Sequence, residues 1–151
     1  MNDGLRERAL RLLARREHTR VELSRKLTAH AESAEQVDAL LDDLTARQLL
    51  SDARYAEMRV NSRSARLGNA RLAYELRSQG VSEDVVSAAL SSSEQEHSEL
   101  SRARQVWQRK FDQLPACGNH AERFRQMRFL MSRGFSAETI RRVLRGDFED
   151  E

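Results

Sequence analysis

LRSQGVSEDVVSAAL (residues 76–90) and LMSRGFSAETIRRVL (residues 130–144) carry the same pattern, 54 residues apart. Each has Leu at its start, Ser two residues on, Gly at the fifth place, an apolar residue at the sixth, and Ser at the seventh. A third copy, LTAHAESAEQVDALL (residues 27–41), aligns Ser33, Val37 and Leu41 with Ser82, Val86 and Leu90 at an offset of 49. A fixed period of this size marks a repeat architecture.

The punctuation has a mechanical meaning. Gly80 and Gly134 stand where a helix ends and φ must turn positive, which costs glycine no Cβ clash. Val81 and Phe135 follow as the apolar residue of a Schellman-type stop. Ser82 and Ser136 then cap the next helix by accepting from a free backbone N–H. Thr19 with Glu22, and Ser33 with Gln36, have capping-box spacing. Each junction reads as a tight helix-turn-helix.

Outward from these junctions, the apolar spacing predicts nine helices, three per repeat. They lie near 5–17, 19–30 and 33–49; 52–66, 69–79 and 82–91; and 94–113, 119–133 and 136–145. The fold class is all-α, with repeats over 1–50, 51–92 and 93–146 and an acidic tail over 147–151. Core stripes are read at Leu5, Ala9, Leu12 and Leu13; at Val37, Leu40, Leu41 and Leu44; and at Leu100, Ala103, Trp107 and Leu114. Phe124, Met127, Leu130 and Met131 form another. Pro115 to Asn119 reads as a loop. One Pro and six Gly in 151 residues argue against a turn-rich β fold. No apolar run approaches the roughly 18 residues of a membrane span. No secretory signal is read at the N-terminus, and a cytoplasmic protein is expected.

No catalytic or metal site is visible. The single cysteine, Cys117, excludes an intrachain disulfide and a cysteine-rich zinc site. His18, His30, His97 and His120 fall at no ligand spacing. There is no phosphate-cradling Gly-rich loop and no nucleophile elbow. Asp42 and Asp43 adjoin on a helix and point about 100° apart, an exposed acidic face and not a paired-carboxylate site. No enzyme and no cofactor are expected.

Net charge is only +2, yet it is blocked along the chain. The values are +4 over 1–30, −5 over 31–53, +4 over 54–79, −5 over 80–101, +8 over 102–145 and −4 over 146–151. All but Lys26 and Lys110 of the 26 cationic residues are Arg, whose fork binds carboxylates and phosphates bidentately. Arg59, Arg63 and Arg66 fall at i, i+4 and i+7, one stripe on a face different from that of the core-directed Ala56, Val60 and Leu67. Arg71 and Arg77 continue the charge. Arg141, Arg142 and Arg145 gather at a helix C-terminus, where the dipole favours cations, with Arg125, Arg128 and Arg133 close in sequence. Solubility and dipole complementation would also account for such clusters.

The stretches ALRLLARREHTRVELSRKL (9–27), LLSDARYAEMRVNSR (49–63), LGNARLAYELRSQGVS (67–82) and RFRQMRFLMSRGFSAETI (123–140), in this order, resemble the RecX family of regulators of the RecA recombinase. The resemblance implies three tandem three-helix repeats in an elongated, curved molecule without enzymatic activity. It implies binding in the groove of the RecA–DNA filament, bridging neighbouring protomers. ATP hydrolysis, strand exchange and co-protease activity would be suppressed, modulating DNA repair and the SOS response. Some members of the family also bind DNA directly.

The eight arginines at 59, 63, 66, 71, 77, 141, 142 and 145 are accordingly candidates for contact with RecA or DNA, and a monomer is expected. The alternative is a DNA-binding protein of helix-turn-helix-like units that acts without RecA. A third reading is a helical scaffold with unrelated partners. The acidic blocks weigh against a chain lying wholly on phosphates.

Overall fold

The two glycine stops form as the sequence demands. Gly80 and Gly134 have φ of 82° and 88°. Gly80 N–H donates to the Arg77 carbonyl and Val81 N–H to that of Leu76; Gly134 and Phe135 donate likewise to Met131 and Leu130. These paired bonds are the Schellman pattern. Ser82 and Ser136 accept from the N–H groups of Val85 and Thr139 and start the next helix.

In this computed structural model, which describes residues 3–147, the helices are α1 (Asp3–Arg15), α2 (Arg20–Thr28), α3 (Ala34–Ala46), α4 (Asp52–Arg63), α5 (Asn69–Ser78), α6 (Glu83–Glu96), α7 (Glu99–Lys110), α8 (His120–Ser132) and α9 (Ala137–Arg145). They are the nine expected, three to a repeat, and no strand occurs among the described residues. Of the acidic tail, everything after Asp147 lies outside the described residues.

Four helices, α3, α4, α6 and α7, depart from their expected bounds by three residues or more. α3 stops at Ala46 and not at 49, because Gln48 adopts φ 62°. Gln48 N–H donates to the Thr45 carbonyl and Leu49 N–H to that of Leu44, a Schellman stop without glycine. α4 ends at Arg63, not 66. α6 continues to Glu96, so the repeat boundary read at 92/93 falls inside a helix; its serines are tolerated there and Ser93 is buried. α7 spans only Glu99–Lys110, started by Ser98, whose hydroxyl accepts from Ser101 N–H.

Packing divides the chain into two compact units. One holds residues up to 58 with 76–86; the other holds 59–75 with residues from 87 onward. The first has a core of Leu5, Ala9, Leu23, Leu27, Val37, Leu40, Leu41, Leu44 and Leu50. The second is centred on Leu100, Ala103, Val106, Trp107, Phe111, Leu130, Phe135, Ile140, Val143 and Leu144. Three core assignments are corrected. Phe124 and Met131 are 59% and 60% exposed, off the face of α8 that buries Leu130, and Leu114 is exposed after α7 has ended.

The middle repeat is shared between the units because one docking contact is used twice. In the first unit Thr19, the residue before α2, donates its hydroxyl to the carbonyl of Gln79, at 2.8 Å. In the second unit Gly68, the residue before α5, donates its N–H to the carbonyl of Arg133, at 2.7 Å. Gln79 and Arg133 both precede a turn glycine. The approach is close in each case: a Cβ on Gly80 would lie 2.4 Å from Val21 Cγ2, and one on Gly134 2.3 Å from Arg71 Cβ.

In the second unit a buried arginine supports the same junction. Arg102 on α7 is 3% exposed. It donates to the carbonyls of Ser64 (3.1 Å), Leu67 (2.7 Å) and His97 (3.2 Å) and to Asn69 Oδ1, and lies 3.7 Å from Glu94. The turn between α4 and α5 thus finds its donors on α7.

His18 is buried beside the first docking contact. Its Nε2 lies 3.1 Å from Lys26 Nζ, which can only donate, so the proton sits on Nδ1 and is given to the Arg16 carbonyl at 3.0 Å. Burial holds its pKa below the usual imidazole value. The Arg16 carbonyl and Glu22 oppose this, while the charges of Arg16 and Lys26 add to it. With the folded pKa below the unfolded value of about 6.5, the stabilisation is full above that pH and is lost as pH falls through the folded pKa. The urea midpoint should therefore drop further between about pH 8 and pH 5.5 in the parent than in His18→Gln, whose amide makes both bonds without titrating. Parallel curves would remove His18 from the titration.

Candidate partner-binding surface

The arginine stripe expected on α4 is broken by the helix end. Arg59 is half-buried and has no carboxylate partner among the described residues. Arg63 is committed: its Nε lies 3.0 Å from Glu75 Oε2, and Nη2 donates to Oε1 at 3.1 Å. Arg71 also approaches Glu75, at 3.6 Å, and its guanidinium stands 5.8 Å from the centre of the exposed Tyr74 ring. Arg66 lies past the last turn of α4 and is exposed.

Arg77, in the first unit, closes a two-bond fork on Glu83 across the Gly80 turn, at 2.5 and 3.0 Å. That bond raises the arginine pKa and lowers the carboxyl's. In the last helix Arg142 lies 3.2 Å and Arg145 3.9 Å from Asp147, and Arg141 is exposed. Of the eight candidates, five hold carboxylates of their own chain. The structure brings Arg63 and Arg71 together on Glu75, and Arg142 and Arg145 on Asp147.

Arg66 instead joins a cationic groove in the second unit. The groove has a volume of about 250 Å³ and is lined by Arg66, Val106, Arg109, Lys110, Phe129 and Arg133. Phe129 organises it: Lys110 Nζ lies 5.5 Å and the Arg133 guanidinium 5.1 Å from the ring centre, both within cation–π range. The ring is itself fixed edge-on against Phe111, at 5.4 Å and 87°. Arg109 donates to the carbonyl of Ala65 at 3.3 Å. Four cations share the lining with no acidic side chain.

Sequence reasoning missed Arg109 and Lys110 as site residues and named Arg133 only in passing. The signal was present in the Arg109–Lys110 pair at a helix C-terminus and the Arg133 cap, but the segments that meet are far apart in sequence. Among the described residues no group of three or more His, Cys, Asp or Glu could hold a metal ion, and no helix is long and apolar enough to cross a membrane. Cys117 is exposed.

Comparison with known proteins gives three family matches in chain order. The first, second and third three-helix domains of RecX match residues 6–44, 51–90 and 97–144. The regulatory protein RecX of Leptothrix cholodnii is 49% identical over 142 residues, covering 94% of this chain and 88% of its own. That of Chromobacterium violaceum is 44% identical over 148 residues, covering 98% and 93%. The crystal structure of RecX from Lactobacillus salivarius matches with a TM-score of 0.80 and 18% identity, over 95% of this chain and 94% of that one. At that identity the likeness concerns the fold.

Proposed function

This chain belongs to the RecX family, and we propose that it regulates the RecA recombinase by binding within the groove of the RecA–DNA filament. The observation that carries this reading is the unbroken order of three RecX-type repeats, with relatives named regulatory protein RecX matching nearly the whole chain. Binding there inhibits ATP hydrolysis, strand exchange and co-protease activity, and so tempers DNA repair and the SOS response. The protein acts in the cytoplasm as a monomer, by occupancy and without chemistry of its own.

The arginines at 59, 63, 66, 71, 77, 141, 142 and 145 supply the contact surface in this reading. Those already on a carboxylate must exchange one partner for another on binding, which yields little net energy. Arg59 and Arg141, without a carboxylate partner among the described residues, gain a full charge-assisted bond each. The test is RecA ATP hydrolysis on single-stranded DNA, titrated with the parent protein and with Arg59→Ala/Arg141→Ala. The parent should inhibit, and the variant should need at least about tenfold more protein for the same effect. A parent without effect on RecA would overturn the function; an unshifted variant curve would move the contact to other residues.

A further inference from the structure

We propose that the exposed face of α8 is a docking site for an acidic amphipathic helix of the RecA protomer, with Phe124, Met127 and Met131 as its apolar anchor. Phe124 and Met131 are 59% and 60% exposed, and the partly buried Met127 joins them to the core beneath. At about 100° per residue the three fall within about 60° of the helix circumference, along about 10 Å of its length. Arg123 stands about 40° beyond one edge of this strip and Arg128 about 40° beyond the other. Neither arginine has a carboxylate partner among the described residues, whereas Arg125 on the same helix is paired with Glu122.

The repeat itself does not call for this strip. The 54- and 49-residue offsets place Met131 where α5 has Arg77 and α2 has Thr28, both polar and exposed. They place Phe124 where α5 has Ala70 and α2 has Val21, whose side chain packs against the Gly80 turn of the following repeat. No repeat follows the third among the described residues, so no such turn covers Phe124. Large apolar side chains gathered on one exposed face mark an interaction surface. Aromatic residues, Met and Arg are also the types enriched in protein interfaces. The charges state what covers the strip. Apolar residues railed on both sides by cations without carboxylates are matched by a helix with apolar residues at i, i+3 or i+4 and i+7 and carboxylates along both flanks. That RecA supplies this helix rests on the function proposed above; the chemistry of the partner segment follows from α8 alone.

The experiment is binding of the full chain to RecA filaments, assembled with a non-hydrolysable ATP analogue on immobilised oligo-dT. Interferometry reads it over a salt series, with naked oligo-dT subtracted. Phe124→Gln/Met131→Gln should weaken binding at least about tenfold at both roughly 0.1 M and roughly 0.5 M salt, because apolar burial is not screened. Phe124→Leu/Met131→Leu should stay within about threefold of the parent. Arg123→Gln/Arg128→Gln should cost about tenfold at roughly 0.1 M salt and converge on the parent at roughly 0.5 M. Calorimetry should give a less negative heat-capacity change of binding for the apolar variant and not for the arginine variant. Melting temperatures establish that the variants are folded. A parent that does not bind the filament overturns the RecA reading and the partner named here. A parent that binds no more tightly than the folded Phe124→Gln/Met131→Gln variant overturns the α8 assignment alone. So does a loss that vanishes at high salt, or self-association of the chain that this variant abolishes while filament binding is kept, which would give the face to a second copy.

Discussion

Replacing Arg102 with methionine should lower the stability of the protein by about 3 kcal/mol or more, a fall in melting temperature of roughly 10 °C for a chain of this size. The guanidinium is buried, and burial pushes its pKa below the ordinary value, opposed by the charges of Glu94 and Glu99. It stays charged because its donors are used: on the carbonyls of Ser64, Leu67 and His97 and on Asn69 Oδ1. Methionine fills much of the same volume but donates nothing. The Leu67 carbonyl and its neighbours would be left in a dry site without a partner, and each such group costs about 1–3 kcal/mol. Arg102→Lys should fall between, since an ammonium cannot reproduce the planar fork that spans these acceptors. Arg125→Met is the control. That arginine is exposed on α8, where it pairs with its neighbour Glu122 and stands 5.0 Å from the centre of the Phe111 ring; contacts of this kind contribute about 1 kcal/mol each at most when exposed, so its loss should lower the melting temperature far less than that of Arg102. An Arg102→Met shift no larger than the control would mean that water serves those carbonyls as well as the guanidinium does.

Arg102 also marks where the sequence stops being legible. In the chain it is one arginine among many, two residues from Arg104, and nothing local distinguishes it. Its burial is decided by acceptors at residues 64–69, more than thirty residues away. The glycine stops were legible for the opposite reason: Gly80–Val81–Ser82 and Gly134–Phe135–Ser136 contain the whole of their own explanation within one turn. Where the same stop is made by Gln48, nothing in the residue type announces it. The stripe Phe124–Met127–Leu130–Met131 has helical spacing, yet Phe124 and Met131 are exposed while Leu130 is buried, because they stand roughly 100° or more round the helix from Leu130 and spacing does not show how wide a face the core covers. Of the arginines at 59, 63 and 66, read from their spacing as one exposed stripe, Arg66 is exposed and the other two are half-buried. Whether each is free or held by Glu75 depends on α5, which periodicity along α4 cannot report.

Gly68→Ala should be nearly as damaging as the loss of Arg102, and three glycines together separate the reasons a glycine is needed. Gly118 has φ 85° and open space where a Cβ would stand. Gly118→Ala therefore meets only the left-handed backbone cost, about 1 kcal/mol. Gly68 is not in that conformation, but its Cβ would fall 2.3 Å from the Gly134 carbonyl oxygen and 2.5 Å from Phe135 N. Those atoms are backbone and are held by the bonds from Gly68 N–H to Arg133 and from Ala70 N–H to Gly134. No side chain can rotate away, so the methyl must push the two turns apart and break both bonds. Overpacking of this kind costs about 1–3 kcal/mol before the lost bonds are counted. Gly134→Ala meets both penalties, with φ 88° and Arg71 N at 2.6 Å from the new methyl. The denaturant midpoints should therefore fall in the order Gly118, Gly68, Gly134, with a wide gap after the first. Gly68→Ala at the level of Gly118→Ala would mean that the turns can separate freely, and that the docking contact used in both units does not hold the repeats in register.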